Sequence, residues 1–278
     1  MTKKEIENQE ENQMIALVDQ TGVETAMDKL LTKNNSLLPN NVVIERIKNS
    51  AGFYVSNRKD LMELQPKEKV SMLYGILKEA MVGCEAGTDY DIVPFKGKAV
   101  ITRKKEGWFK IIDLIKPADI MRFTTNVIVK GDDYYYNPVT EELTHTINNS
   151  SDKYDDIVGA YAYIKFQNGF EKTVFMSKKD IDAIRKVSPS AGTSFSPWTS
   201  MPVKMVKTKV TKELAKELFT LFSAKVNSTL ARAINSDEIA VSKMDVKGNV
   251  IDDNTIYEVE PMQEPKILQT EKVDINNL

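Results

Sequence analysis

One cysteine, Cys84, and one histidine, His145, occur in the whole sequence. A lone cysteine excludes an internal disulfide and fits a reducing, intracellular setting. A lone histidine excludes the usual histidine-based triads and most zinc sites. No apolar run approaches the roughly 18–20 residues that a membrane span needs, and the opening MTKKEIENQEENQ has no apolar stretch of the kind that marks a secretory signal. The phosphate-cradling loop GxxxxGK[ST] is missing. Aspartate pairs at 132–133, 155–156 and 252–253 fall in turn-like stretches, where Asp is favoured without any metal. The one Glu-x-Lys triplet, Glu264-Pro265-Lys266, lies in an acidic tail rather than among strands. Together these absences argue against an enzyme and against a bound metal.

Charge is present in both signs but unevenly placed. Residues 1–95 carry a net −4, residues 96–216 a net +7 and residues 217–278 a net −5, in a chain whose total is −2. A cationic middle between anionic flanks suggests an anionic partner. A lysine-solvated surface accounts for the same totals, so charge alone does not decide.

The pattern of apolar residues divides the chain. Helical spacing recurs over 13–33, interrupted at Gly22, then over 41–51 and 66–83, with Pro66 suited to a first helical turn. From YDIVPFKGKAVITR onward the sequence becomes rich in strand formers, with a turn at Lys96-Gly97. Trp108, Ile111, Ile112 and Ile115 mark a short helix ending before Pro117. FTTNVIVKGDDYYYN reads as two strands about Gly131-Asp132. VGAYAYIKFQNGFEKTVFMS reads as a hairpin, whose Asn168-Gly169 predicts a two-residue type I′ turn. Ser177, with Asp180 three residues on, predicts the start of a helix over 177–187. A Ser/Pro/Gly loop at 188–198 precedes a long helix over about 200–223. The expected fold class is α+β: a helical N-terminal region, a central antiparallel sheet packed with helices, and a long helix after the sheet. The expected division is 1–83 (helical, with oligomer contacts), 84–235 (an α+β DNA-binding core) and 236–278 (an acidic tail or small partner-binding region).

Two sets of cations stand out. Lys96, Lys98, Arg103, Lys104, Lys105, Lys110, Lys116 and Arg122 crowd around Trp108 and Phe109. Lysine and arginine neutralise phosphates without regard to sequence, and an aromatic face can stack on a base. Trp108 also begins an apolar helical stripe, which fits a core position. The second set lies on the long helix. Lys209, Lys212 and Lys216 fall opposite an apolar stripe of Val203, Val206, Val210, Leu214, Leu218 and Leu221, while Lys207 falls inside that stripe. A cation there must pair, snorkel or meet an anion. Arg185 borders the apolar edge of the preceding helix, and Arg185 and Lys207 are expected to face one cleft. Cys84, beside Gly83, is expected to be a small core residue, and His145 a surface or hydrogen-bonding one.

With these segments in view, the chain resembles the RecT/Redβ family of phage-type single-strand annealing proteins, in its RecT branch. The resemblance runs from about Gly83 to Lys216. It is carried by YDIVPF (90–95), IIDL (111–114), VKGDDYYY (129–136), IVGAYAYIKFQNGFEKTVFMSKKDIDAIRK (157–186) and SPWTSMPVKMVKTKV (196–210). Where the family often has Gly-Tyr-Lys-Gly before the IIDL position, this chain has EGWFK. The resemblance implies a core distantly similar to eukaryotic single-strand annealing proteins. It implies a non-enzymatic activity in homologous recombination: binding single-stranded DNA, pairing it with its complement without ATP, and holding the new duplex in a ring or helical filament of identical copies. Magnesium would enter only as an influence on annealing. Implied partners are single-stranded DNA, the annealed duplex intermediate, a 5′→3′ exonuclease and a single-strand-binding protein, with no membrane, in the cytoplasm of a bacterial host. Arg185 and Lys207 lie on family motifs, and Lys186 adjoins the first. Trp198 and the run from Lys96 to Lys110 rest on physical reasoning alone. A protein that protects one strand without pairing it, or a metal-dependent nuclease, remains the alternative.

Overall fold

A computed structural model describes residues 3–34, 38, 44–116, 118–188, 191–194 and 196–222. The expected tail over 236–278 lies outside them. Four helices come first: α1 (Lys3–Lys33), α2 (Ile44–Ser56), α3 (Lys59–Met62) and α4 (Pro66–Ala80). Gly22 interrupts α1 with φ 81° and ψ 169°, values foreign to a helix, so the break read from its sequence is a kink. Pro66 occupies the first turn of α4, where a missing N–H costs nothing. Val23, Met27, Leu30 and Leu31 of α1 are buried together with Val70, Leu73 and Ile76 of α4.

The remainder is strands and helices: β1 (Tyr90–Phe95), β2 (Lys98–Arg103), α5 (Lys105–Ile115), β3 (Ile120–Val129), β4 (Asp133–Asn137), β5 (Glu142–Thr146), β6 (Ile157–Phe166), β7 (Glu171–Ser177), α6 (Lys178–Val187), α7 (Pro197–Ser200) and α8 (Pro202–Phe222). A three-stranded antiparallel sheet has the order β3-β6-β7, and β1-β2 and β4-β5 are separate hairpins. Period-two alternation puts Ala160, Ala162, Ile164 and Phe166 of β6 in the core. Val206, Val210, Leu214 and Leu218 of α8 are buried in the same core, and α8 packs across the sheet and along α5. The fold is therefore α+β, with helices ahead of the antiparallel sheet.

Two local readings change. The tight I′-like turn is at Lys96-Gly97, where both residues have positive φ (50° and 78°) and Phe95 pairs with Lys98. At Asn168-Gly169 only Gly169 has positive φ. There the Phe166 N–H donates to the Phe170 carbonyl, so Gln167, Asn168 and Gly169 make a three-residue loop. Glycine in the third place absorbs the left-handed step that lets strands close on such a loop. Also, the helix containing Trp108 begins three residues earlier than its apolar stripe.

The β4-β5 hairpin is tied to the sheet at both ends. Lys172 of β7 contacts Glu141 in the hairpin turn at 2.5 Å and Glu217 of α8 at 2.7 Å. Phe175 stacks with Tyr136 and Tyr134 at centroid separations of 4.8 and 6.1 Å. At the base, Asp132 accepts backbone N–H bonds from Val129, Asn148 and Asn149. His145 Nε2 lies 3.1 Å from Asp132, and Nδ1 lies 3.3 Å from the Tyr161 hydroxyl. The histidine is thus a buried hydrogen-bonding residue, 2% exposed in its side chain. Burial alone would raise the Asp132 pKa. The Val129 and Asn149 N–H groups, His145 and the Asn148 N–H outweigh it and hold the carboxyl at about 2.

Candidate functional site

A groove of about 370 Å³ opens between the first turns of α5 and α8, and Lys105, Glu106, Asp152, Val203, Lys204 and Lys207 are among its walls. Local chemistry sets both edges. Lys104 is extended (φ −84°, ψ 175°), so α5 starts at Lys105. The Lys104 N–H donates to the Asp89 carbonyl at 2.8 Å. A Cβ on Gly107 would come within 2.5 Å of that carbonyl, so glycine is what lets the start of α5 lie against it. On the other side, Pro202 opens α8 with its fixed φ. Lys204 and Lys207, three apart, then lie on adjacent turns of one helical face.

The state of these lysines sets the groove apart. Among the described residues, the side-chain amines of Lys105, Lys204 and Lys207 make no ion pair, and neither do the Glu106 and Asp152 carboxylates. Lys207 is partly buried. Burial first, and repulsion from Lys105 second, lower its pKa from the usual 10.5. Dehydrating an unpaired ammonium favours its neutral form.

Other basic residues picked out by the sequence are paired within the fold or lie away from the groove. Arg103 is 3% exposed and makes two bonds of 2.7 Å to Glu79, its guanidinium 5.0 Å from the Trp108 ring. Trp108 and Trp198 are each 1% exposed, so neither offers a face to a base. Trp198 packs edge-on to Tyr154 at 6.1 Å. Lys104 holds Asp91 at 2.9 Å and the Gly87 carbonyl at 2.5 Å. Lys110 donates to the buried Asp89 at 2.6 Å and to the Gly83 carbonyl at 3.0 Å. Lys116 pairs with Asp113 at 3.0 Å, and Lys216 with Glu213 at 3.5 Å. Lys96, Lys98, Arg122 and Lys186 are exposed away from the groove walls. Arg122 lies 5.9 Å from the Tyr163 ring. Lys209 is partly buried on α8 and is not among the groove-lining residues.

Arg185, expected to share a cleft with Lys207, is not among the walls of this groove. Its guanidinium lies 3.9 Å from the Tyr154 ring centroid, as the Lys178 amine does at 3.6 Å. The Tyr154 hydroxyl donates to Asp182 at 2.5 Å. Burial, and then that carboxylate, push the Tyr154 hydroxyl up to about 12. The structure therefore joins Lys105 and Lys207 out of the expected set and adds Lys204, Glu106 and Asp152, which sequence reasoning missed. Lys204 had a usable signal, since it precedes Lys207 by one helical step of three. Asp152 had none, because only the fold brings it to α8.

Cys84 is buried, and burial pushes its thiol up, which suits a core residue rather than a nucleophile. Among the described residues no helix is long and apolar enough to cross a membrane.

Over 116 residues the chain is 27% identical to the uncharacterized protein YqaK of Bacillus subtilis (strain 168), a stretch covering 41% of this chain and 39% of that relative. The chain thus matches well under half the length of this relative. Residues 90–252 match the family model described as the RecT family, a span holding the sheet, α5, α8 and every lysine of the groove. That match takes in more than half of the sequence, and the chain belongs to the RecT family.

Proposed function

We propose that this protein binds single-stranded DNA and anneals it to a complementary strand during homologous recombination, without hydrolysing ATP and without itself being an enzyme. Family membership supports the annealing role. The groove supplies the chemistry. Three lysines without ion pairs among the described residues converge on one opening, whereas many other cations of the fold are paired. That is the observation that carries the reading. A phosphodiester entering the groove gives Lys105 and Lys204 the counter-charge they lack, beside a half-buried Lys207. Contacts to phosphate leave base edges free for the second strand and make the grip indifferent to sequence. One groove reaches few phosphates, so a homo-oligomer, as a ring or filament, is needed to keep two polyanions aligned. A 5′→3′ exonuclease to supply single strands, and a single-strand-binding protein, fit the same scheme.

The test uses a labelled oligonucleotide and fluorescence anisotropy over a salt series. Each lost phosphate contact should flatten the log–log salt slope by about 0.7, so a Lys105→Ala, Lys204→Ala double variant should lose about 1.4 in slope. An unchanged slope and affinity would remove the groove from the account. Adding the complementary strand then separates annealing, which accelerates duplex formation, from mere protection, which slows it.

A further inference from the structure

We propose that Lys207 is a Schiff-base nucleophile toward aldehydes carried on DNA, the substrate class being the ring-opened deoxyribose of an abasic site. This deepens the DNA-binding reading of the same groove and rests on it.

Four observations converge. The Lys207 amine is partly buried and has no ion pair or side-chain hydrogen bond among the described residues. Lys105 shares the groove and is close enough to disfavour the protonated form of Lys207. A second cation beside a desolvated lysine favours the unprotonated, nucleophilic form of its amine. Glu106 and Asp152 line the same space without ion pairs among the described residues, so carboxylates stand in the groove to relay protons. The opening, about 370 Å³, accepts a sugar that has lost its base. Lys104, Lys110 and Lys172 are unlike Lys207 in each being held by a carboxylate.

The step balances without a further reagent. The lone pair on Lys207 Nζ forms a bond to the aldehyde carbon C1′, and the carbonyl π pair moves onto oxygen, which takes up a proton. Nitrogen gives up its two protons over the sequence, the second proton reaches the same oxygen, and the C–O bond breaks to release water. An imine joins Lys207 to the DNA strand. Nothing is oxidised or reduced, and hydrolysis returns both partners.

The full-length protein is mixed with a single-stranded oligonucleotide bearing one central abasic aldehyde, and borohydride is added to reduce any imine to a stable amine. The expected result is a covalent protein–DNA band whose adduct maps to Lys207 by peptide mass spectrometry. A Lys207→Arg variant, which keeps the cation but cannot form an imine, should yield at least about tenfold less adduct. An oligonucleotide with a tetrahydrofuran in place of the aldehyde reports binding by anisotropy in parallel. If that probe binds and the aldehyde strand gives no adduct, or an adduct on another lysine, or equal trapping with Lys207→Arg, the nucleophile is disproved and the DNA-binding reading stands. If the tetrahydrofuran strand fails to bind, the DNA-binding reading falls and this inference falls with it. Mapping in the unaltered protein decides the matter even if the variant does not fold.

Discussion

Arg103 and Glu79 form a charge pair that water scarcely reaches, with side-chain exposures of 1% and 6%. The fork of the guanidinium matches the carboxylate at both oxygens. Removing one partner strands the other charge in a medium that cannot solvate it. Arg103→Ala should therefore cost about 3–5 kcal/mol in urea denaturation, far more than loss of an exposed cation would. Asp132 makes the complementary case at the hairpin base. Its folded carboxyl titrates at about 2, below the ordinary 3.8. A carboxylate depressed on folding stabilises fully above its unfolded pKa and ceases to do so as pH falls through the folded value. The contribution is thus complete above about pH 4 and vanishes toward pH 2. Asp132→Asn should flatten the acid-unfolding curve over that interval, as read by circular dichroism.

Elements in this chain declare themselves where the signal is local. Ser177 accepts the Asp180 N–H while the Asp180 carboxylate accepts the Ser177 N–H, so α6 begins where a four-residue pattern says it should. Ser177→Ala should lower stability by about 1 kcal/mol in denaturant midpoints, with little change in the slope of the transition. The Gly22 break and Pro66 at a helix start were legible for the same reason. The Asn168-Gly169 turn was only half legible: the dipeptide marks the reversal, but loop length is set by how the flanking strands pair, and that is a non-local matter. The basic run from Lys96 to Lys110 shows the limit most clearly. Its residues are neighbours along the chain, yet Arg103 turns inward to Glu79, Lys110 to Asp89, and Lys105 alone reaches the groove. Each choice depends on an acid or a helix some 20 or more residues away. Lys207 was legible because one helical projection suffices to place a cation within an apolar stripe.

For the molecule as a whole, the +7 of residues 96–216 is a poor guide to where an anion would sit, because much of that charge is neutralised within the fold. What is left for a partner is decided by pairing. Family membership supports the annealing role, and the groove lysines that have no ion pair among the described residues carry the proposal of where one strand is met. The salt slope and the aldehyde trap probe that meeting by independent means, one through counterions and the other through a covalent bond.

The lysines of the groove come from α5 and α8, about a hundred residues apart in the chain. Denaturation disperses them, so no linear peptide cut from this sequence reproduces the arrangement. A strand held there draws molecules out of the unfolding equilibrium by mass action. DNA, on this view, is cargo and brace at once: the occupied protein is the more heat-resistant one, and the empty protein the one a protease finds first.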